Sequence, residues 1–159
     1  MNKSLNELFE ASGFRPITVD GQEVHAFYAF ELEPGDRLSI EFLKAPSPRV
    51  QGISLRAGSA VLRIDESESS VFALWEDTAP RIVEARYVAA PEGRASVEIS
   101  NRWRHDDGVE DEWSNNAGML VRPEPNGGVL LVCSDGYGDP SFGDLVVRVT
   151  RIAGQGELA

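Results

Sequence analysis

The chain has 159 residues, with 26 acidic and 15 basic side chains and a formal net charge of −11 at pH 7. This length predicts one domain over residues 1–159, large enough to bury a hydrophobic core without disulfides. The negative charge and the lack of a basic run in the sequence argue against nucleic-acid and membrane partners, and the apolar runs are too short for a transmembrane helix.

The cellular location is inferred from the cysteine content and from the N-terminal segment. Cys133 is the only cysteine, so the chain cannot form an internal disulfide. The first residues contain Glu7 and Glu10 and lack the apolar run of a secretory signal. Both observations predict a reducing, cytoplasmic environment.

One short helix is predicted at the N-terminus, within residues 1–14. Ser4 and Glu7 have the spacing of a capping box, in which a hydroxyl and a carboxylate each accept a hydrogen bond from a backbone amide. Gly13 suits the end of the helix. Three apolar residues then fall on one helical face: Leu5, Leu8 and Phe9.

Alternating apolar residues predict strands through most of the remaining chain. One run extends from Val24 to Leu32, and a second run from Leu38 to Phe42 would complete a hairpin after the turn at 33–36. Such runs recur at intervals of roughly ten residues and predict about nine strands, with almost no helical pattern between them. We therefore expect an all-β fold, an antiparallel β-sandwich of jelly-roll type.

The densest charge cluster lies between two tryptophans, Trp103 and Trp113. Its five carboxylates repel one another, so they should remain in water or meet cations. An indole beside a polar loop can stack on a sugar or anchor a protein interface, or it can hold the loop to the core. The predicted ligand-binding residues, for a carbohydrate or a basic protein, are Trp103, Asp106, Asp107, Glu110, Asp111, Glu112 and Trp113.

The segment from Cys133 to Val149, CSDGYGDPSFGDLVVRV, raises the question of a metal site. Asp135, Asp139 and Asp144 offer carboxylate oxygens at short intervals, and three glycines allow the backbone to turn its carbonyls inward. These are the ligands that calcium prefers. The alternative is an ordinary turn between two strands, in which an aspartate accepts backbone amides.

The hairpin at 139–147 resembles the last hairpin of calcium-associated β-sandwich domains of secreted bacterial proteins, whose pattern is D-x-D-[FY]-N-D-[LIV]-V-F. It resembles more faintly the hairpin of bacterial calcium-dependent galactose-binding lectins. The resemblance spans nine residues, and Ser141 and Gly143 replace an aspartate and an asparagine of the pattern. It implies a β-sandwich, with calcium as a candidate cofactor and Asp139 and Asp144 as ligands.

These features favour a non-enzymatic binding module for carbohydrate or protein, assisted by calcium if the hairpin binds it. One alternative is an acidic immunity- or inhibitor-type protein that covers a basic partner with residues 106–112. A second is a hydrolase that uses a carboxylate pair such as Glu76 and Asp77. No catalytic residue is predicted, because a nucleophile elbow is absent and only His25 and His105 could serve a triad.

Overall fold

The structure is a computed structural model that describes residues 3–91 and 93–154. These residues form one α-helix and β-strands whose pairings are all antiparallel, which confirms the predicted all-β class with one short helix. They include no helix long and apolar enough to cross a membrane. In chain order the elements are α1 (Leu5–Ser12), β1 (Ile17–Val19), β2 (Gln22–Val24), β3 (Tyr28–Leu32), β4 (Arg37–Lys44), β5 (Val50–Arg56), β6 (Val61–Ile64), β7 (Ser67–Ser69), β8 (Val71–Trp75), β9 (Ile82–Ala89), β10 (Ala95–Arg104), β11 (Glu110–Glu112), β12 (Asn116–Pro123), β13 (Val129–Gly136) and β14 (Leu145–Ile152).

The strands form two large sheets and one small hairpin. The larger sheet has seven strands in the order β12-β13-β14-β4-β9-β6-β7. The smaller sheet has the order β11-β10-β5-β8, and β3 also pairs with β10, alongside its N-terminal half. The hairpin β1-β2 pairs apart from both sheets.

The main hydrophobic core lies between the two large sheets. Residues that alternate along β4, β9, β13 and β14 meet residues that alternate along β5 and β10. Examples with no exposed surface are Leu38 and Leu131 from the larger sheet and Ile53 and Ile99 from the smaller sheet. The two sheets are therefore packed face to face, in a sandwich-like arrangement.

The helix covers the outer face of the larger sheet rather than the space between the sheets. Ser4 and Glu7 form the predicted capping box, and Gly13 ends the helix in a left-handed conformation with φ of 70°. Leu5 and Phe9 are buried against residues of β2, β12 and β13 in a second hydrophobic cluster. Burying two such side chains stabilises the docked helix by about 1.5–3 kcal/mol each.

Two predictions about the strands are corrected by the structure. The strand count is fourteen in the described residues rather than about nine, because the three-residue strands show too little alternation to be recognised. The run from Val24 to Leu32 is two strands: Val24 belongs to the second cluster, whereas Leu32 belongs to the main core.

The predicted hairpin of β3 with β4 is also wrong. β3 pairs with β10 in the smaller sheet, and β4 pairs with β14 and β9 in the larger sheet. The turn between them carries the chain from one sheet to the other. Asp36 fixes this turn by accepting hydrogen bonds from the backbone N–H of Glu33 and of Gly154.

Candidate functional site

The outer face of the smaller sheet carries an ordered set of charged, hydroxyl and indole side chains. In the register of the sheet, Glu112 of β11 lies opposite Arg102 of β10, which lies opposite Gly52 of β5, which lies opposite Trp75 of β8. Directly opposed residues of antiparallel strands share one face, so this row crosses the whole sheet. We call the following residues the Arg–Trp face: Ser54, Arg56, Trp75, Ser100, Arg102, Arg104, Glu110, Glu112 and Trp113.

Glu112 is the centre of the hydrogen-bond network on the Arg–Trp face. Its two carboxylate oxygens form a two-point ion pair with the guanidinium of Arg56. Ser54 Oγ donates to Glu112 Oε2 at 3.0 Å, and Ser100 Oγ approaches the same oxygen at 3.4 Å. Because the Glu112 side chain is only 18% exposed, this network fixes its position.

Two further ion pairs extend the network along β10. Arg102 donates to Ser54 Oγ at 3.1 Å and to Glu110 Oε1 at 2.5 Å. Arg104 donates to Asp77 Oδ2 at 2.6 Å, in the turn that follows β8. Arg102 and Arg104 are therefore each held by a carboxylate from a different neighbouring segment.

Trp75 lies over the backbone of Gly52, and the guanidiniums of two of these arginines lie over its ring. A Cβ atom built on Gly52 would be 2.7 Å from Cε3 of the Trp75 indole. The guanidinium carbons of Arg102 and Arg104 lie 5.1 and 4.8 Å from the ring centroid, within the range of cation–π attraction. Trp75 is not among the residues predicted from the sequence, although the alternation Arg102-Trp103-Arg104 indicates that two arginines share a face.

The two predicted tryptophans have different environments. Trp103 is 2% exposed and points between the sheets, so its ring is not available to a ligand on the surface. Trp113 is partly buried against the second hydrophobic cluster, and its Nε1–H donates to the carbonyl of Ala26. The other side of its indole faces Arg56, whose guanidinium carbon is 4.6 Å from the ring centroid. Trp113 thus belongs to the Arg–Trp face, and Trp103 does not.

The predicted acidic loop is a β-hairpin in which three of the five carboxylates have basic side-chain partners. Glu110 and Glu112 face the arginines, whereas Asp111 lies on the opposite face, where its Oδ2 accepts a hydrogen bond from His105 Nε2–H at 2.7 Å. Asp106 and Asp107 lie exposed in the turn, and Asp107 Oδ1 accepts from the Val109 N–H. The repulsion expected among these carboxylates is therefore reduced, because successive side chains of β11 point to opposite faces of the sheet.

The three predicted metal ligands do not surround a common point. Asp135 has no exposed surface, Asp144 is partly buried, and Asp139 is exposed. Asp135 Oδ2 accepts from Ser47 Oγ at 2.8 Å, Arg49 Nε at 2.9 Å and Gln51 Nε2 at 3.1 Å. Its Oδ1 accepts from the backbone of Tyr137, and its own N–H donates to Asp144 Oδ2.

The ionisation of this pair of aspartates follows from these bonds. Burial acts to raise the pKa of Asp135, but donors from Arg49, Ser47 and the Tyr137 backbone outweigh it and lower that pKa. Burial, followed by the neighbouring charge of Asp135, raises the pKa of Asp144. The lowered pKa keeps Asp135 ionised, as its ion pair with Arg49 requires.

The residues present do not fit a calcium ion at Asp135. Calcium requires six to eight oxygen ligands, whereas both oxygens of Asp135 already accept protein hydrogen bonds and a guanidinium lies against one of them. The part of the chain that the structure describes contains no group of three or more histidine, cysteine or acidic side chains arranged to hold a metal ion. This geometry is that of a buried polar network beneath the loop.

Comparison with known proteins adds no family to this description. No protein family, curated protein or solved structure matches the chain.

Proposed function

We propose that the protein is a non-enzymatic binding module that binds carbohydrate on the Arg–Trp face. The observation that carries this proposal is Trp75, which lies over Gly52 on the outer side of the sheet, with the guanidinium carbons of Arg102 and Arg104 at 5.1 and 4.8 Å from its ring centroid. A sugar ring presents an apolar face that suits an indole and hydroxyl groups that suit arginine, serine and carboxylate partners.

The fixed positions of the polar side chains on the Arg–Trp face support binding of a small polar ligand. Arg56, Arg102 and Arg104 each have a carboxylate partner, so their side chains are already fixed before a ligand arrives. Side chains that are already fixed lose little conformational entropy when a ligand binds, and the affinity for the ligand is therefore higher. The mixed charges also suit neutral hydroxyl groups better than a strongly charged ligand.

We further propose that the sandwich is of jelly-roll type. The supporting observation is the order in which the chain visits the sheets: β3 and β5 lie in the smaller sheet, whereas β4 and β6 lie in the larger sheet. The same alternation continues through β8, β9 and β10. Such crossings between sheets are typical of jelly rolls, whose two sheets are built from Greek-key connections.

Binding to a glycan array, followed by calorimetry with the best glycan, tests the proposed function. Trp75→Ala should remove most of the binding, because the variant loses the stacking surface. Val88→Ala is the matched control, since Val88 is an exposed apolar residue of β9 on the other sheet. Retention of glycan binding by Trp75→Ala, or absence of any glycan ligand, would overturn the proposal.

A basic protein partner is the second candidate, and the exposed tip of the β10–β11 hairpin favours it. Asp106 and Asp107 have no cation within ion-pair distance among the described residues. Exposed acids of this kind raise the rate of association with a basic surface and make it sensitive to salt. Slower association of the Asp106→Asn, Asp107→Asn double variant with a captured basic protein would support this candidate.

A further inference from the structure

The outer face of the larger sheet brings together three arginines that are far apart in the sequence. Arg63 of β6 lies directly opposite Arg86 of β9, and Arg86 lies directly opposite Arg37 of β4. We call these three residues the arginine row. The adjacent residues Leu62, Ala85 and Leu38 are buried, so the arginines alternate with core residues and point away from the core. Like charges directly opposite each other across a sheet are destabilising.

The arginine row is only partly neutralised by carboxylates. Arg37 pairs with Glu84, with Nε 3.4 Å from Oε2. Arg63 Nε donates to the backbone carbonyl of Asp65 at 2.9 Å, which fixes the side chain without neutralising its charge. Among the described residues, no carboxylate oxygen lies within 4.0 Å of a guanidinium nitrogen of Arg63 or Arg86.

The two guanidiniums without an ion pair line the same surface depression. It has a volume of about 360 Å³ and is bounded by Arg63, Arg86, Asp65 and Glu84. Of its two carboxylates, Glu84 is already opposed by Arg37. Glu68 lies opposite Arg63 on β7, on the side away from Arg86. The local balance at the depression is therefore two arginine charges against Asp65, in a chain whose overall charge is −11.

We propose that the arginine row binds a phosphate group. Each guanidinium presents a planar fork of N–H donors that matches the oxygens of an oxyanion in two-point geometry. Two forks on neighbouring strands, which lie about 4.8 Å apart, can hold different oxygens of the same tetrahedral group. A phosphate ester carries a charge of about −1.5 to −2 at pH 7, which matches two arginines better than the single charge of a carboxylate does.

This site is separate from the Arg–Trp face, because the two lie on the outer sides of opposite sheets. Binding of phosphate here would also offset the repulsion within the row. We therefore expect the arginine row to destabilise the folded protein mildly without ligand and to stabilise it when phosphate is bound.

Titration of the full chain with inorganic phosphate, followed by NMR of the arginine Nε–H signals, tests the proposal. Sodium chloride at matched ionic strength is the reference. Phosphate should give saturable shifts at Arg63 and Arg86, and the Tm should rise with phosphate beyond the chloride reference. Arg86→Gln should weaken phosphate binding by about tenfold or more, since a charge-assisted hydrogen bond is lost.

Arg122→Gln is the matched control, because Arg122 is an exposed arginine of β12, at the opposite end of the same sheet. It should bind phosphate as the unmodified chain does. Without phosphate, Arg86→Gln should have an unchanged or higher Tm, whereas a purely structural role for Arg86 predicts a lower one. Three results would overturn the proposal: no saturable phosphate response, equal weakening in Arg122→Gln, or tighter binding of malonate, a dicarboxylate, than of phosphate.

Discussion

Gly52 lies directly beneath Trp75 on the smaller sheet. A Cβ atom at Gly52 would be 2.7 Å from Trp75 Cε3 and also 2.7 Å from the carbonyl oxygen of Leu74. Both distances are too short for carbon in contact with these atoms. The indole can lie against the sheet, within reach of Arg102 and Arg104, only because position 52 has no side chain.

Gly52→Ala should therefore displace the indole and destabilise the fold. Crowding at a packed position costs about 1–3 kcal/mol, measured as a loss in the free energy of unfolding in urea. Tryptophan fluorescence should report the movement of Trp75, and glycan binding should weaken. Gly143→Ala is the control, because nothing lies within 4 Å of a Cβ at that position. Equal stability of the two variants would contradict this account of Gly52.

Removal of either partner of the ion pair between Asp135 and Arg49 should strongly destabilise the fold. Asp135 has no exposed surface, and Arg49 Nε donates to it at 2.9 Å. Removing one partner of such a pair leaves the other charge uncompensated and costs about 3–5 kcal/mol. Asp135→Asn should show a loss of that order in urea denaturation, whereas Asp139→Asn, at an exposed position, should change little. Similar unfolding midpoints for the two variants would show that the pair is not important.

Asp36 should make the stability of the protein depend on acid pH. Burial acts to raise its pKa, but hydrogen bonds from the Glu33 and Gly154 backbones and from Arg151 outweigh it and lower the pKa below its usual 3.8. A carboxyl group whose pKa is lowered by folding stabilises the folded state above the unfolded pKa, and this contribution disappears as the pH falls through the folded pKa.

The free energy of unfolding of Asp36→Asn should consequently differ most from that of the unmodified chain near neutral pH. The difference should shrink as the pH falls below 3.8, the usual pKa of the group. Urea denaturation at neutral pH and at about pH 3 measures this change. A difference that is constant with pH would show that the charge of Asp36 does not contribute to stability.

Alternation of apolar residues predicted the strands better than it predicted their partners. The run from Leu38 to Phe42, which lies in β4, predicts a strand because one face of it is buried, which gives a period of two. The turn at Asp36 looked like a hairpin turn, but it connects two sheets. Local sequence determines that the chain turns there, whereas the choice of partner depends on contacts with distant strands such as β10 and β14.

The candidate sites were harder to predict, because the pairing register of the strands brings their residues together and sequence proximity does not. Arg56 is far in the sequence from Arg102 and Glu112, yet the three side chains converge on one face. The same is true of the arginine row, so the lack of a basic run in the sequence did not show that Arg63 and Arg86 lie side by side. The sequence shows the acidic cluster directly, because its members are close together in the chain. It does not show that Glu110 and Glu112 pair with arginines on neighbouring strands.

Cys133 should be unreactive in the folded protein. It has no exposed surface in the core between the sheets, and burial, followed by the charge of Asp144, raises the pKa of its thiol. Because the thiolate is the reactive form, a disulfide reagent should modify Cys133 only as fast as the protein unfolds. Following the reaction with and without urea tests this expectation, and rapid modification of the native chain would contradict it.

The hairpin at 139–147 should not bind calcium, and the melting temperature should show this. In the loop, Asp144 accepts from the Asp135 backbone, and the oxygens of Asp135 are occupied by Arg49, Ser47, Gln51 and the Tyr137 backbone. An ion at Asp135 would have to displace the Arg49 guanidinium from a carboxylate that has no exposed surface, and breaking such a buried pair costs about 3–5 kcal/mol. Melting curves in calcium and in a chelator should therefore coincide.

The variants distinguish a metal site from a structural turn in the same experiment. Asp144→Ala removes the acceptor of the Asp135 N–H, so its Tm should fall to the same extent with and without calcium. Asp139→Ala should leave the Tm unchanged in both conditions, because Asp139 is exposed. A Tm that rises with calcium in the unmodified chain and loses this rise in Asp139→Ala would instead place calcium on the loop. The guanidinium of Arg49 would then have to leave Asp135 on binding, which a change in its Nε–H NMR signal would reveal.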